Sequence, residues 1–135
     1  MSGGKAVWDI LWRNKGIVLF FLIAGLSIVV WSIYVQANDD GIIEGRVVDQ
    51  NGDGIADAEV LLQKKGYDIL HEPIVTTTDN NGYFEYQDIE MLEFVISAEK
   101  QGYRSEGERV SYHRYFLKHN FELPVPIQLI EEGTQ

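Results

Sequence analysis

From Ile17 to Val35 the chain reads IVLFFLIAGLSIVVWSIYV, 19 residues without a charge, whose only strongly polar groups are the hydroxyls of Ser27 and Ser32. A helix rises about 1.5 Å per residue, so this run spans roughly 28 Å, close to the hydrocarbon thickness of a bilayer. A soluble core helix rarely stays apolar on every face for that length. Trp31 and Tyr34 lie near one end, and Trp8 and Trp12 precede the other. Such rings favour the headgroup level, where an apolar body and a polar tip are both satisfied. The run predicts a transmembrane helix over 17–36, and makes the lipid bilayer the first expected partner.

Flanking charge predicts orientation. Lys5, Arg13 and Lys15 precede the span, while Asp39, Asp40 and Glu44 follow it. Positive flanks stay in the cytoplasm, so residues 1–16 are expected inside and the C-terminal part outside, in a single-pass cell-membrane protein. Within 1–16, Val7, Trp8, Leu11 and Trp12 fall on one side at helical spacing, as in a short interfacial helix or the start of the span itself. Two processing routes compete with a permanent anchor. Val35-Gln36-Ala37 resembles a signal-peptide cleavage site, although the apolar run exceeds the usual signal core. Lys15-Gly16 resembles the processing site of type IV pilin-like precursors, but Phe20 and Phe21 stand where an early glutamate is expected. Gly25 and Ser32, seven residues apart, share a helix face small enough for close helix packing, without a GxxxG.

Charge divides at the same boundary. Residues 1–37 hold three basic residues and one acid, a balance of +2; residues 38–135 hold 20 acids and 8 bases, a balance of −12. An acidic soluble part repels phosphate backbones, which argues against nucleic-acid binding. There is no cysteine, hence no disulfide, thiolate metal site or thiol nucleophile.

After a polar linker at 37–41, short β-type runs alternate with turn residues. Strands are expected near 42–49, 58–64, 74–78, 82–87, 93–100, 108–117 and 120–130. In the last, Phe121, Leu123, Val125, Ile127 and Leu129 alternate with Glu122, Pro124, Pro126 and Gln128, the period of a strand with one buried face. Pro124 and Pro126 cannot donate to a ladder, so this strand should lie at an edge or be irregular in its middle. Phe94, Ile96 and Ala98 alternate likewise with Val95, Ser97 and Glu99. Seven short strands in this length predict a two-sheet sandwich over 42–131 with a tail at 132–135.

Three blocks carry a family resemblance. Residues 45–60, GRVVDQNGDGIADAEV, resemble the opening of carboxypeptidase regulatory-like domains: a G-x-V strand, an Asp, an Asn-Gly turn, then Ala-x-Val. Residues 76–84, TTTDNNGYF, are similar to that family's T-D-x-x-G-x-F segment, and Lys100-Gln101-Gly102-Tyr103 to its closing G-Y turn. Leu92-Glu93-Phe94 stands where Gly-x-Tyr is usual, and Gly54 replaces a common proline. The resemblance implies an all-β, seven-stranded transthyretin-like sandwich behind one transmembrane α-helix. It also implies an accessory, spacer or interaction module, catalysis in such families belonging to other domains. Residue chemistry agrees on the turns: Asn51-Gly52 and Asn81-Gly82 tolerate positive φ, and Ala58 is small enough for a strand start under a neighbouring turn.

Candidate sites are few. Asp49, Asn51, Asp53 and Asp57, with Gly54, follow the first positions of a calcium loop. The twelfth position is Val60 where a bidentate Glu is needed, with Glu59 one place early, so a turn with solvated acids is the stronger reading and calcium the weaker. No other cofactor is expected. His71, His113 and His119 lack zinc spacing. No nucleophile elbow or phosphate loop occurs, so no enzymatic role is expected. Tyr83, Tyr86, Tyr103, Tyr112, Tyr115 and Phe116 could form a sugar- or protein-binding face, but strands are ordinarily rich in such residues. One span, one interaction-type domain and no catalytic set lead to the expectation of a non-catalytic accessory subunit of a larger membrane complex with a polytopic partner. A freestanding module for a surface polymer or sugar, or a pilin-like filament component, are the other readings.

Overall fold

The apolar run folds as helix α2 (Lys15–Ala37), and the segment before it as helix α1 (Gly3–Arg13). The computed structural model describes residues 3–66, 71–106 and 109–133. It divides into two units, Met1–Ala37 and Asn38–Gln135. No residue of either helix is buried, and α2 is long and apolar enough to cross a membrane. Both serines inside it return their hydroxyls to the helix itself: Ser27 donates to the Ile23 carbonyl and Ser32 to that of Ile28, each at 2.8 Å. Neither hydroxyl is therefore left without a partner. Asn14 separates the helices. Its backbone and side-chain N–H groups both donate to Ile10 O at 3.1 Å, and its carbonyl accepts from Ile17 and Val18.

The second unit is a two-sheet sandwich, with nine strands among the described residues. These are β1 (Ile43–Val48), β2 (Glu59–Lys64), β3 (Ile74–Thr77), β4 (Tyr83–Tyr86), β5 (Glu93–Glu99), β6 (Tyr103–Ser105), β7 (Val110–His113), β8 (Phe121–Glu122) and β9 (Ile127–Glu131). One sheet has the order β4-β1-β9-β6, with β8 pairing parallel to the first half of β1; the other has the order β3-β2-β5-β7. Inward residues of both sheets make one core, including Ile43, Val47, Val60, Leu62, Phe94, Ile96, Ala98 and Leu129, each at most 4 % exposed. Phe94 meets Phe121 edge-on at 5.4 Å and stacks on Tyr112 at 5.7 Å, so rings close one part of that core.

The strand count and strand bounds are corrected here. Among the described residues the sandwich has nine strands rather than seven, because Tyr103–Ser105 pairs with β9 as a separate strand and the run 120–130 breaks in two. The break covers Leu123–Pro126, where two prolines remove ladder donors; β8 and β9 pair with different halves of β1. The irregular middle is thus observed, as one of the two expected outcomes; among the described residues β8 pairs with β1 alone, and β9 lies inside its sheet between β1 and β6. Val125, expected to face inward, is 63 % exposed in that break. The strand expected at 108–117 is Val110–His113; residue 108, and residues 134 and 135 of the expected tail, lie outside the described residues. The segment 38–41 belongs to the sandwich unit. Asn120 N–H donates to Asn38 O, Gly41 N–H to Lys118 O, and the Asn120 side-chain oxygen accepts from Asp40 and Ile42.

Candidate interaction surfaces

Two turns of the same build meet at one end of the sandwich. In the first, Asp49 N–H donates to Asp53 O and Gly52 N–H to Asp49 O. Asp49 Oδ1 accepts from Asn51 and Asp53 N–H at 2.8 and 3.0 Å. The second repeats it: Asp79 N–H donates to Tyr83 O, Gly82 N–H to Asp79 O, and Asp79 Oδ1 accepts from Asn81 and Tyr83. In each Asn-Gly pair only the glycine takes positive φ, 86° at Gly52 and 80° at Gly82. The carboxylate, rather than the asparagine, therefore shapes the loop. The turns interlock through Val47, whose N–H donates to Gly82 O and whose carbonyl accepts from Ile55. Thr78, 4 % exposed, ties the strand starts by donating to Ile55 O at 2.6 Å and accepting Ala58 N–H at 2.9 Å.

The calcium-like set is thereby located. Asp49 spends one carboxylate oxygen on backbone donors. Asp57 stands past the turn with φ 53°, its N–H on Thr78 O and its carbonyl facing Lys100 Nζ at 3.3 Å. Among the described residues no three His, Asp or Glu side chains gather into a metal-holding group.

A second knot is not visible to sequence reasoning. Arg114 is fully buried and donates to four backbone carbonyls: Nε to Met91 O at 2.9 Å, Nη1 to His119 O at 2.6 Å, and Nη2 to Ile89 O at 2.6 Å and to Leu117 O. Burial lowers its pKa from the usual guanidinium value, yet four carbonyl dipoles hold the charge. His119 lies beside it, its pKa lowered by burial and then by the Arg114 charge. Lys118, outside the knot, binds Asp88 at 2.6 Å and Glu90 at 3.1 Å, and these bonds raise its pKa. A lone arginine in a polar-looking stretch gives no sequence signal for such a role.

The aromatic residues do not form one face. Tyr86 is in the core, Tyr112 packs on Phe94 and Phe121, and Tyr103 is half-buried; Tyr83 and Tyr115 are exposed. Tyr83 belongs instead to an open groove lined from β1, β3, β4 and β8, with Glu44, Arg46, Thr76, Glu85 and Glu122. Arg46 lies 5.3 Å over the Tyr83 ring and donates through Nε to Asn81 O. Glu44 faces Glu85 of β4 and lies beside Glu122 of β8. This is an exposed row of three carboxylates with one aromatic-backed cation. Gly25 and Ser32 lie on exposed α2, with nothing within 4 Å of a Cβ built at Gly25.

Comparison with known proteins bears on the sandwich. The carboxypeptidase regulatory-like domain profile matches residues 42–114. No curated protein matches the chain. Among solved structures, a streptococcal ancillary pilin aligns over 72 % of this chain and 31 % of its own, at 13 % identity and TM-score 0.53. The Bacillus anthracis TIE protein aligns over 67 % and 17 %, at 17 % identity and TM-score 0.51. A point mutant of Acinetobacter radioresistens catechol 1,2 dioxygenase aligns over 71 % and 53 %, at 14 % identity and TM-score 0.50. The chain spans a third or less of the first two and about half of the third. At these identities the likeness is one of fold.

Proposed function

The chain belongs to the carboxypeptidase regulatory-like domain family, and from that premise we propose a non-catalytic, single-span accessory subunit of a larger membrane complex, its sandwich on the extracytoplasmic face. One observation carries this reading: from Ile17 to Val35, α2 exposes an uncharged apolar surface on every face, with both serine hydroxyls already satisfied internally. Such a surface is stable in lipid or against other apolar helices, and not in water. Lys5, Arg13 and Lys15 before it and Asp39, Asp40 and Glu44 after it support an N-terminus inside. Gly25 and Ser32 are the positions proposed to admit a partner helix closely. The side chains that could carry chemistry, Asp49, Asp79, Thr78 and Arg114, are engaged in closing turns and loops, which supports a binding rather than a reacting role.

A second reading has its own support in the groove of Glu44, Arg46, Tyr83, Glu85 and Glu122, whose exposed ring and carboxylates suit a surface polymer or sugar. A pilin-like role rests on shared fold alone. Extraction from native membranes in gentle detergent, then sizing and mass spectrometry, tests the main reading. A stoichiometric polytopic partner is expected. A lone small particle would abandon it for the second, which requires the sandwich to bind ligand unaided.

A further inference from the structure

The first unit holds a feature that no part of the proposed function uses. Where α1 meets α2 at Asn14, a crevice of about 580 Å³ opens along one face, with almost wholly apolar walls of Trp8, Leu11, Trp12, Val18, Leu19 and Leu22. Lys15 and Gly16 complete it. Gly16 contributes no side chain, and a Cβ built there meets nothing within 4 Å, so the wall is open at that point. The volume falls within the range of about 300–1,000 Å³ typical of sites for one small ligand.

We infer that this crevice seats one anionic phospholipid, an acyl chain against Val18, Leu19 and Leu22 and its phosphate at Lys15. The inference rests on the membrane-anchor reading above. Three observations choose the occupant. First, the walls run from aromatic to aliphatic along the chain, with two tryptophans on one side of Lys15 and three aliphatic residues on the other. Tryptophan favours headgroup depth, its ring against glycerol and upper acyl carbons and its N–H free to donate to lipid oxygens. Second, Lys15 is exposed and makes no ion pair among the described residues. Its four-carbon stem lets the ammonium reach the headgroup layer while the stem stays on apolar surface. Third, residues 1–37 carry a +2 balance in a chain that is otherwise acidic, and Lys15 sets one of those positive charges in the lining of this crevice. A partner helix would fill the aliphatic half. It would leave the Lys15 charge without a counterion unless it also brought an acid.

Tryptophan fluorescence reads the occupant directly, because bromine on an acyl chain quenches only a neighbouring indole. The third tryptophan, Trp31, lies 16 residues beyond Lys15, roughly 24 Å along a helix, so the full chain carrying Trp31→Phe reports from Trp8 and Trp12 alone. That protein is reconstituted in phosphatidylcholine vesicles containing a tenth phosphatidylglycerol. The bromine is placed either on the phosphatidylglycerol or on an equal fraction of the phosphatidylcholine. Brominated phosphatidylglycerol is expected to quench more, by an amount equivalent to about fivefold local enrichment, the factor for about 1 kcal/mol of one lysine at an anionic surface. Lys15→Gln should equalise the two vesicles and Lys15→Arg should keep the preference. Lys5→Gln, which removes the same charge outside the crevice, should keep it also. Equal quenching in the Trp31→Phe protein, or a preference that survives Lys15→Gln, would overturn the site. Absence of quenching by either lipid would instead overturn the membrane anchor itself.

Discussion

At the scale of single residues, the two interlocked turns contain glycines with the same backbone conformation and different surroundings. Gly52 has φ 86° and open space where a Cβ would stand, whereas at Gly82, with φ 80°, a Cβ would lie 2.4 Å from Val47 O and 2.8 Å from Gly54 Cα. Gly52→Ala should therefore cost only the left-handed penalty, about 1–2 kcal/mol, while Gly82→Ala adds a backbone collision and should cost several times more. Urea unfolding of the two variants separates them, and equal costs would mean the turns are not packed as described. Gly54 obeys the same logic: a side chain there would bring Cβ to 1.9 Å from Asn81 O, so the proline usual in the family has no room in this arrangement. Tyr86 supplies a pH prediction. Its hydroxyl, 2.6 Å from Val60 O and 3.1 Å from Ile74 O, sits in the core, and burial raises its pKa above the ordinary value of about 10. A raised pKa means that the unfolded chain loses the proton first as pH rises. The stabilisation is thus complete below pH about 10 and lost progressively above it. Tyr86→Phe should cost about 1 kcal/mol at neutral pH and flatten the decline above pH about 10, read as the urea midpoint across that range.

At the scale of elements, Arg114 shows how a loop pair is held without a ladder. Its guanidinium joins the carbonyls of Ile89 and Met91 to those of Leu117 and His119, and its own N–H donates to Leu92 O. Arg114→Met keeps much of the volume but leaves those carbonyls without the donor, for a cost of about 3 kcal/mol or more. Arg114→Lys, with three donors on one nitrogen and no planar fork, should recover only part of it. Thermal unfolding orders the three proteins, and a methionine variant as stable as the parent would mean that the loops are held by packing alone. The same region marks where sequence reasoning stops. Strand β5 is legible because one-sided burial imposes a period of two on consecutive residues, and helix α2 because its apolar run has no period at all. The Asp-Asn-Gly turns are legible because positive φ selects glycine. Arg114 is not, since its partners are backbone carbonyls, which every residue supplies. The division of 120–130 is half legible: two prolines announce irregularity, but which half pairs where depends on β1, far away in sequence. The candidate groove is invisible for the same reason, because Glu44, Glu85 and Glu122 become neighbours only through strand register.

At the scale of the whole chain, charge is distributed against stability. The 20 acids and 8 bases of residues 38–135 repel one another in the folded unit more than in an expanded chain. Register sharpens the repulsion by setting Glu44 opposite Glu85 and Glu59 opposite Glu99, and placing Glu122 beside Glu44. Like charges directly opposite cost a few tenths of a kcal/mol to about 1 kcal/mol each. Screening reaches about 10 Å at 0.1 M salt and about 3 Å at 1 M, so these contacts weaken as salt is added. The core of residues 38–135 is drawn wholly from within that unit, and neither helix buries a residue, so the fragment should fold alone with the stability of the sandwich in the full chain. Its urea midpoint should rise between about 0.05 and 1 M sodium chloride. Glu85→Lys, which turns the unfavourable cross-strand pair with Glu44 into a favourable one, should raise stability at low salt by about 0.5–1 kcal/mol and flatten the salt dependence. A midpoint insensitive to salt in the parent would mean that the exposed row is already screened by water, and the carboxylates would then carry no energetic cost. If instead the cost is measured and relieved by lysine, the row is a surface that a cationic partner would stabilise on binding, which makes the groove of Glu44, Glu85 and Glu122 the face to probe first with a candidate ligand.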